Sequence, residues 1–226
     1  MEILQEIWAG ILFIVDVALH VDVYLFPLVE QYGTWIYLLL FMVIFCETGL
    51  VVTPFLPGDS LLFAAGTLAG AGQLSYPLLL ALIFVAAVLG DQVNYSIGRF
   101  LGHKVFERDY RFLKRKHLLA AQAFYEKHGG KAIILCRWVP IIRTFAPFVA
   151  GVAEMHRGRF IFFNFTGAAA WVLILVSLGF FLGNLPFIRD NFSIAIYIII
   201  LVSIMPIVVE VARGYLRSRR EKLQQD

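Results

Sequence analysis

The fold class this 226-residue chain predicts is an all-α polytopic membrane protein, and three observations predict it. Hydrophobic residues make up 60% of it and charged residues 15%, with a mean hydropathy of +0.80, a balance typical of integral-membrane chains. Two segments, Cys46 to Gly72 and Cys136 to His156, are as apolar as membrane-buried peptide. Both nevertheless carry prolines, glycines and charges that an ordinary spanning helix would not keep. Each is followed by an apolar run long enough to cross a bilayer. The expected architecture is an inverted repeat of a re-entrant helical hairpin plus a transmembrane helix. An N-terminal interfacial or tilted helix precedes it and a C-terminal transmembrane helix closes it. One membrane domain, 1–226, uses the whole length and leaves no room for a separate soluble catalytic domain.

Each element has its own justification. The N-terminal helix, 7–32, is interrupted by Asp16, His20 and Asp22, which suits a tilted or interfacial placement. Glu2 and Glu6 stand where a cleavable leader would be basic, so none is expected. The first hairpin is 33–72. Its entry arm, Trp35 to Phe45, is shorter than the about 20 residues a crossing needs. Pro54 and Pro57-Gly58-Asp59 reverse the chain, and Leu61 to Leu68 leads back to a loop at Gly70-Ala71-Gly72. The transmembrane helix 76–98 carries Pro77 in its first turn, where a missing N–H is harmless. A basic loop and an amphipathic helix occupy 99–130, with Leu118, Ala121, Phe124 and Tyr125 on one side and Gly129-Gly130 as the stop. The second hairpin is 131–156. Transmembrane helices at 160–183 and 192–212 and a basic tail at 213–226 complete the chain.

Charge sets the orientation. No Lys or Arg precedes Arg99, whereas eight acids do. Basic residues gather at Arg99 to Lys116 and at Arg213 to Lys222, and the positive-inside rule puts both clusters, with the C-terminus, in the cytoplasm. An even number of crossings must separate them. Two spans plus a hairpin that returns to its own side meet that condition, and a fully crossing second hairpin does not. The basic runs flank membrane segments, so anionic headgroups are their expected partners, and nucleic acid is not. Parity also makes the two hairpin-following helices antiparallel. Gly98-Arg99-Phe100-Leu101-Gly102 is echoed by Gly179-Phe180-Phe181-Leu182-Gly183, Cys46-Glu47 by Cys136-Arg137, and Ala65-Gly66 by Ala150-Gly151. The offsets differ slightly, and Gly/Ala-rich sequence also echoes by chance. Interrupted segments in corresponding halves are nevertheless the pattern of secondary transporters, whose site lies near the midplane.

The candidate site follows from the charges. An ionised side chain at bilayer depth costs about 2.5–3.5 kcal/mol even on the lenient insertion scale, so it needs a partner or a wet cavity. The first hairpin holds Glu47 and Asp59; the second holds Arg137 and Arg143. Guanidinium groups bind phosphate bidentately and never deprotonate, which suits Arg137 and Arg143 to an anionic headgroup. They are six residues apart, on different faces of any unbroken helix, but a bend at Pro140 could let them converge. Glu47 and Asp59 suit proton transfer, and protonating either would release an arginine. The same four charges could also serve only to hold the hairpins together. Thr53, Asp91, Asn94, Thr144 and Asn164 are candidate cavity-lining residues, although Asp91 and Asn94 could equally cap a helix end and Asp59 could be an ordinary N-cap. The histidines are scattered, and no zinc, phosphate-loop, dinucleotide or nucleophile-elbow motif occurs, so no metal, cofactor or enzymatic chemistry is expected. Cys46 and Cys136, both in apolar sequence, read as buried thiols. Trp8, Trp35 and Trp171 read as belt and core aromatics. Spacing such as Gly66 and Gly70 permits helix contacts within a chain or in a homo-oligomer.

Long motifs carry a family resemblance. Glu47-Thr-Gly, followed by Thr53-Pro54-Phe-Leu-Pro57-Gly58-Asp59, resembles the first signature of the DedA family of bacterial inner-membrane proteins. Gly90-Asp91, Asn94-Tyr95, Gly98-Arg99 and Gly102 resemble its second region. Phe124-Tyr125-Glu126-Lys127-His128-Gly129-Gly130, then Arg137, Pro140, Arg143-Thr144, Pro147 and Ala150-Gly151, are similar to the third, and Asn164, Gly167 and Trp171 continue the match. The family's important acids and arginines would fall on Glu47, Asp59, Arg137 and Arg143. The resemblance implies a multi-pass protein of the bacterial inner membrane that flips undecaprenyl phosphate or a related anionic phospholipid, coupled to the proton motive force, in support of envelope homeostasis. A proton-coupled antiporter of small cations or drugs, and a non-transporting assembly factor, remain alternatives.

Overall fold

The computed structural model describes residues 21–50, 58–107 and 129–183, together with 185, 186, 194 and 198. Helices α1 (Val21–Tyr32), α2 (Ile36–Gly49), α3 (Gly58–Gly70), α4 (Tyr76–Glu107), α5 (Lys131–Cys136), α6 (Pro140–Val152) and α7 (Arg157–Leu182) account for most of them. A single 3-10 turn, Gly33–Trp35, joins α1 to α2. No strand occurs among the described residues, which are helical as the sequence predicts. The expected helix over 7–20, the turn with Thr53, the amphipathic helix at 117–128 and the tail at 213–226 lie outside the described residues. So does the last span at 192–212, apart from Ile194 and Ile198.

Two lengths of helix alternate. Helices α4 and α7 hold 32 and 26 residues, about 48 and 39 Å at 1.5 Å per residue. Both are long and apolar enough to cross a bilayer. Helices α2, α3 and α6 hold 14, 13 and 13 residues, only about 20 Å each against a hydrocarbon core of about 30 Å. Helix α4 continues to Glu107, past the end at 98 that the basic residues from Arg99 onward suggest. Gly98 and Gly102 are packing positions, since a Cβ on either would fall on the backbone of Phe148 or Val152 in α6.

The breaks between short helices have local causes. Helix α2 stops where Leu50 turns extended, at φ −109° and ψ 120°. Between α5 and α6, Val139 is extended because a residue before proline is pushed out of the helical region, and Pro140 starts α6 at its first turn. Helices α3 and α6 end alike. Gln73 N–H donates to Leu68 and Gly72 N–H to Ala69, while Met155 N–H donates to Ala150 and Glu154 N–H to Gly151. Gly72 and Glu154 hold the left-handed position, at φ 79° and 55°, that this double hydrogen bond requires.

Each short helix that follows a break lies on the long helix that follows the other break: α3 along α7, and α6 along α4. Glycines make both crossings. Gly66 meets the Val176 carbonyl and Gly179 the Phe63 carbonyl; Gly151 meets the Tyr95 carbonyl and Gly98 the Phe148 carbonyl. Helix α2 rests on α4 where Gly90 admits Thr48 and Gly49, and α5 rests on α7. One core unites α1 to α4 with Ala168 to Val176, and a second gathers Tyr95, Ile133, Ala150, Met155 and Phe160. Leu38, Leu39 and Met42 of α2, Leu78, Val85 and Leu89 of α4, and Leu173, Ile174 and Leu178 of α7 face outward, a surface suited to lipid.

Candidate functional site

Arg143, in the first turns of α6, lies between two carboxylates of the first hairpin. Its Nη2 donates to Glu47 Oε1 at 2.6 Å and its Nη1 to Asp59 Oδ1 at 2.5 Å. Glu47 comes from the last turn of α2 and Asp59 from the first turn of α3. Gly58 lets these two ends meet, because a Cβ there would fall on the Glu47 carboxylate. Helices α3 and α6 therefore both begin at this point, and their N-terminal ends add positive potential to the guanidinium. Glu47 and Arg143 are buried, whereas 15% of the Asp59 side chain is accessible, which makes Asp59 the member nearest an exit.

Arg137, in the turn between α5 and α6, has its partners on the long helices. It is ion-paired to Asp91 of α4 through Nη2, which also donates to Asn164 Oδ1 of α7 at 2.8 Å. The Asn164 amide in turn donates to the Val88 carbonyl at 3.1 Å, so one side chain ties α7, α4 and Arg137 together. Asn94, one turn beyond Asp91, donates to the carbonyls of Thr48 and Thr144 at 2.9 and 2.7 Å, joining the Glu47 and Arg143 backbones across α4. Among the described residues, Arg137 Nη1, Arg143 Nε, Asp91 Oδ1 and Asn94 Oδ1 are buried without a protein partner. Such atoms are the ones a ligand or an ordered water satisfies.

Trp171 of α7 stands between the two arginines. The Arg143 and Arg137 guanidinium carbons lie 4.8 and 5.6 Å from its ring centroid, within cation–π range. Its Nε1 donates to Asp59 Oδ1 at 3.0 Å. Asn164 and Trp171 are seven residues, two turns, apart and share one face of α7.

Glu47, Asp59, Arg137, Arg143, Asp91, Asn94, Thr144 and Asn164 thus gather in one connected cluster, with Thr144 contributing its carbonyl; Thr53 lies outside the described residues. Both acids of the first hairpin attach to one arginine, and Asp91 supplies the partner of the other. Asp91 is not at a helix end, because α4 runs sixteen residues beyond it to Glu107. Trp171, which reads as an ordinary core aromatic in the sequence, touches three members of the cluster. Its signal was the seven-residue spacing from Asn164.

All members of the cluster except Glu47 fall inside a recognised family domain. The family model of the VTT domain matches residues 56–181. Protein DedA of Escherichia coli is 50% identical over 206 residues, covering 90% of this chain and 94% of its own. The chain belongs to the DedA family. An uncharacterized membrane protein of Mycobacterium tuberculosis is 43% identical over 188 residues, covering 82% of each chain. The inner membrane protein YqjA of Escherichia coli is 39% identical over 152 residues, covering 67% of this chain and 69% of its own. No solved structure matches. With two crossing-length apolar helices and relatives named as membrane proteins, this DedA-family chain is a membrane protein.

Proposed function

We propose that this DedA-family protein translocates an anionic lipid phosphate, undecaprenyl phosphate or a related phospholipid, across the bacterial inner membrane with proton coupling. The observation that carries the reading is the buried Arg143, shared by Glu47 and Asp59 where the N-terminal ends of α3 and α6 meet. Half-helix N-termini and a buried guanidinium are what an anionic headgroup needs at bilayer depth. Arg143 is the exchangeable headgroup ligand in this scheme. Arg137, kept in position by Asp91 and Asn164, offers Nη1 as a further donor.

Proton coupling follows from the charge count. Three carboxylates face two guanidinium groups in the cluster, an excess of one that a bound proton would neutralise. A proton on Asp59 or Glu47 loosens its bond to Arg143, and the phosphate takes its place; loss of the proton reverses the exchange. We read the site as a transport site because each of its acids is engaged with an arginine donor.

The hairpins α2–α3 and α5–α6 are re-entrant in this reading, which their short helices favour. The inverted repeat is supported by the exchanged crossings of α3 on α7 and α6 on α4, by the glycine pairs at each, and by the matching ends of α3 and α6. The basic C-terminal tail is cytoplasmic by the positive-inside rule.

A proteoliposome assay comparing undecaprenyl phosphate with bulk phospholipid, with and without a pH gradient, tests the function. Gradient-stimulated flipping of the lipid phosphate, abolished in Arg143→Ala, is the expected outcome. Equal flipping by that variant would sink the proposal. The excess of carboxylates favours one second reading, a proton-coupled cation antiporter, and cation flux without any lipid phosphate in the vesicles would establish it instead.

A further inference from the structure

We propose that Trp171 is itself a headgroup ligand: its indole N–H and Arg143 form a donor pair for one phosphate oxygen, at the place Asp59 Oδ1 holds in this structure. The inference rests on the lipid-phosphate reading and names a residue which that reading does not require.

Two donors from different helices converge on a single anionic oxygen. Arg143 Nη1 of α6 and Trp171 Nε1 of α7 reach Asp59 Oδ1 at 2.5 and 3.0 Å. A carboxylate oxygen and a phosphate oxygen make the same demand on such donors. An indole N–H has no acceptor capacity, so the pair selects an anion and offers nothing to a cation. The ring performs a second task without using that donor, because its face steadies the guanidinium groups of both Arg143 and Arg137.

Burial makes the exchange obligatory. Trp171 is 1% exposed, and a buried indole N–H left without an acceptor is destabilising. When Asp59 swings toward its exposed side, the N–H needs a replacement acceptor, and the incoming phosphate supplies it. Asp59 is then an internal competitor of the substrate, and Trp171 is the group that senses which of the two anions is present.

Binding of farnesyl monophosphate to the detergent-solubilised full chain, followed by the shift in thermal midpoint and with farnesol as the phosphate-free control, tests this directly. Asp59→Asn removes the competing anion and should tighten binding. Trp171→Phe keeps a ring and loses the N–H; in the Asp59→Asn chain it should weaken binding about tenfold, as expected for one hydrogen bond to an anion. In the chain that retains Asp59 the loss should be smaller, because there the N–H is removed from the carboxylate of the free state as well as from the phosphate of the bound state. Trp171→His, which restores a ring N–H, should recover part of the loss in the Asp59→Asn chain. An unchanged affinity on Trp171→Phe in the Asp59→Asn chain, or a His variant no better than Phe there, would overturn the proposal, because the N–H would then serve Asp59 alone. Wild-type affinity in Arg143→Ala would instead overturn the lipid-phosphate reading beneath it.

Discussion

Arg137 and Arg143 are six residues apart and face the same tryptophan ring, yet they are held in opposite ways. The partners of Arg143, Glu47 and Asp59, stand on the facing ends of the short helices α2 and α3. The partners of Arg137, Asp91 and Asn164, stand within the long helices α4 and α7, away from their ends. In the proposed transport cycle the short helices that begin and end at the site are the ones that shift against the long ones, since separating Asp91 from Asn164 means parting the frame. The proposal thus divides one charged cluster into a part that opens and a part that keeps its shape.

Removing each arginine should break that symmetry most visibly. Arg137→Ala leaves Asp91 and Asn164 buried without their shared donor, and losing one partner of a buried pair costs about 3–5 kcal/mol. Its expected result is a large fall in thermal midpoint and in yield. Arg143→Ala also strands two acids, but Asp59 is partly accessible to water, so its destabilisation should be the smaller. Thermal unfolding of both purified variants in detergent decides the matter, and an Arg143→Ala chain less stable than Arg137→Ala would reverse the assignment.

The division was only half legible in the sequence. Charges in apolar, proline-broken segments exposed Glu47, Asp59, Arg137 and Arg143, because bilayer-depth charge is costly wherever it occurs. Which acid meets which arginine depends on how helices cross, and hydropathy carries no such information. Asp91 resembled a helix-end residue because the span is expected to end where the basic loop begins at Arg99; α4 instead continues to Glu107, with Gly98 and Gly102 admitting the backbone of α6. Trp171 read as a core aromatic, since a hydropathy scale does not register where an indole N–H points. The all-helical class followed from composition and from the apolar segments with the long apolar runs behind them, but the exchanged seating of α3 and α6 needed the structure.

That seating gives a medium-sized test. If the short helices move on the long ones as units, their glycine crossings must stay close in both positions. Gly151→Leu would drive a side chain into the Tyr95 carbonyl and displace α6, which carries Arg143, from α4. Overpacking of this kind costs about 1–3 kcal/mol. Gly66→Leu does the same to α3, which carries Asp59, against the Val176 carbonyl of α7. Both variants should lose transport more steeply than stability, since each mispositions one side of the Arg143 pairs while leaving Asp91, Arg137 and Asn164 in place. Retained transport with a lowered thermal midpoint would mean that the crossings merely fasten the fold.

The smallest effects belong to the far ends of the same two helices, where the halves differ by one residue type. Gly72 and Glu154 occupy equivalent left-handed positions after α3 and α6, and only glycine does so without strain. A Cβ on Gly72 would touch nothing within 4 Å, so Gly72→Ala isolates the backbone term. It should destabilise by about 1 kcal/mol. Glu154→Gly removes the same strain from the other half and should stabilise, by less than that amount because glycine also loses more chain entropy on folding. Both changes leave the charged cluster untouched, so neither should alter the concentration of lipid phosphate that half-saturates transport. A shift in that concentration from Gly72→Ala would show that the end of α3 is coupled to Asp59 at its beginning, and that α3 moves as a rigid lever and not as a helix anchored at its loop.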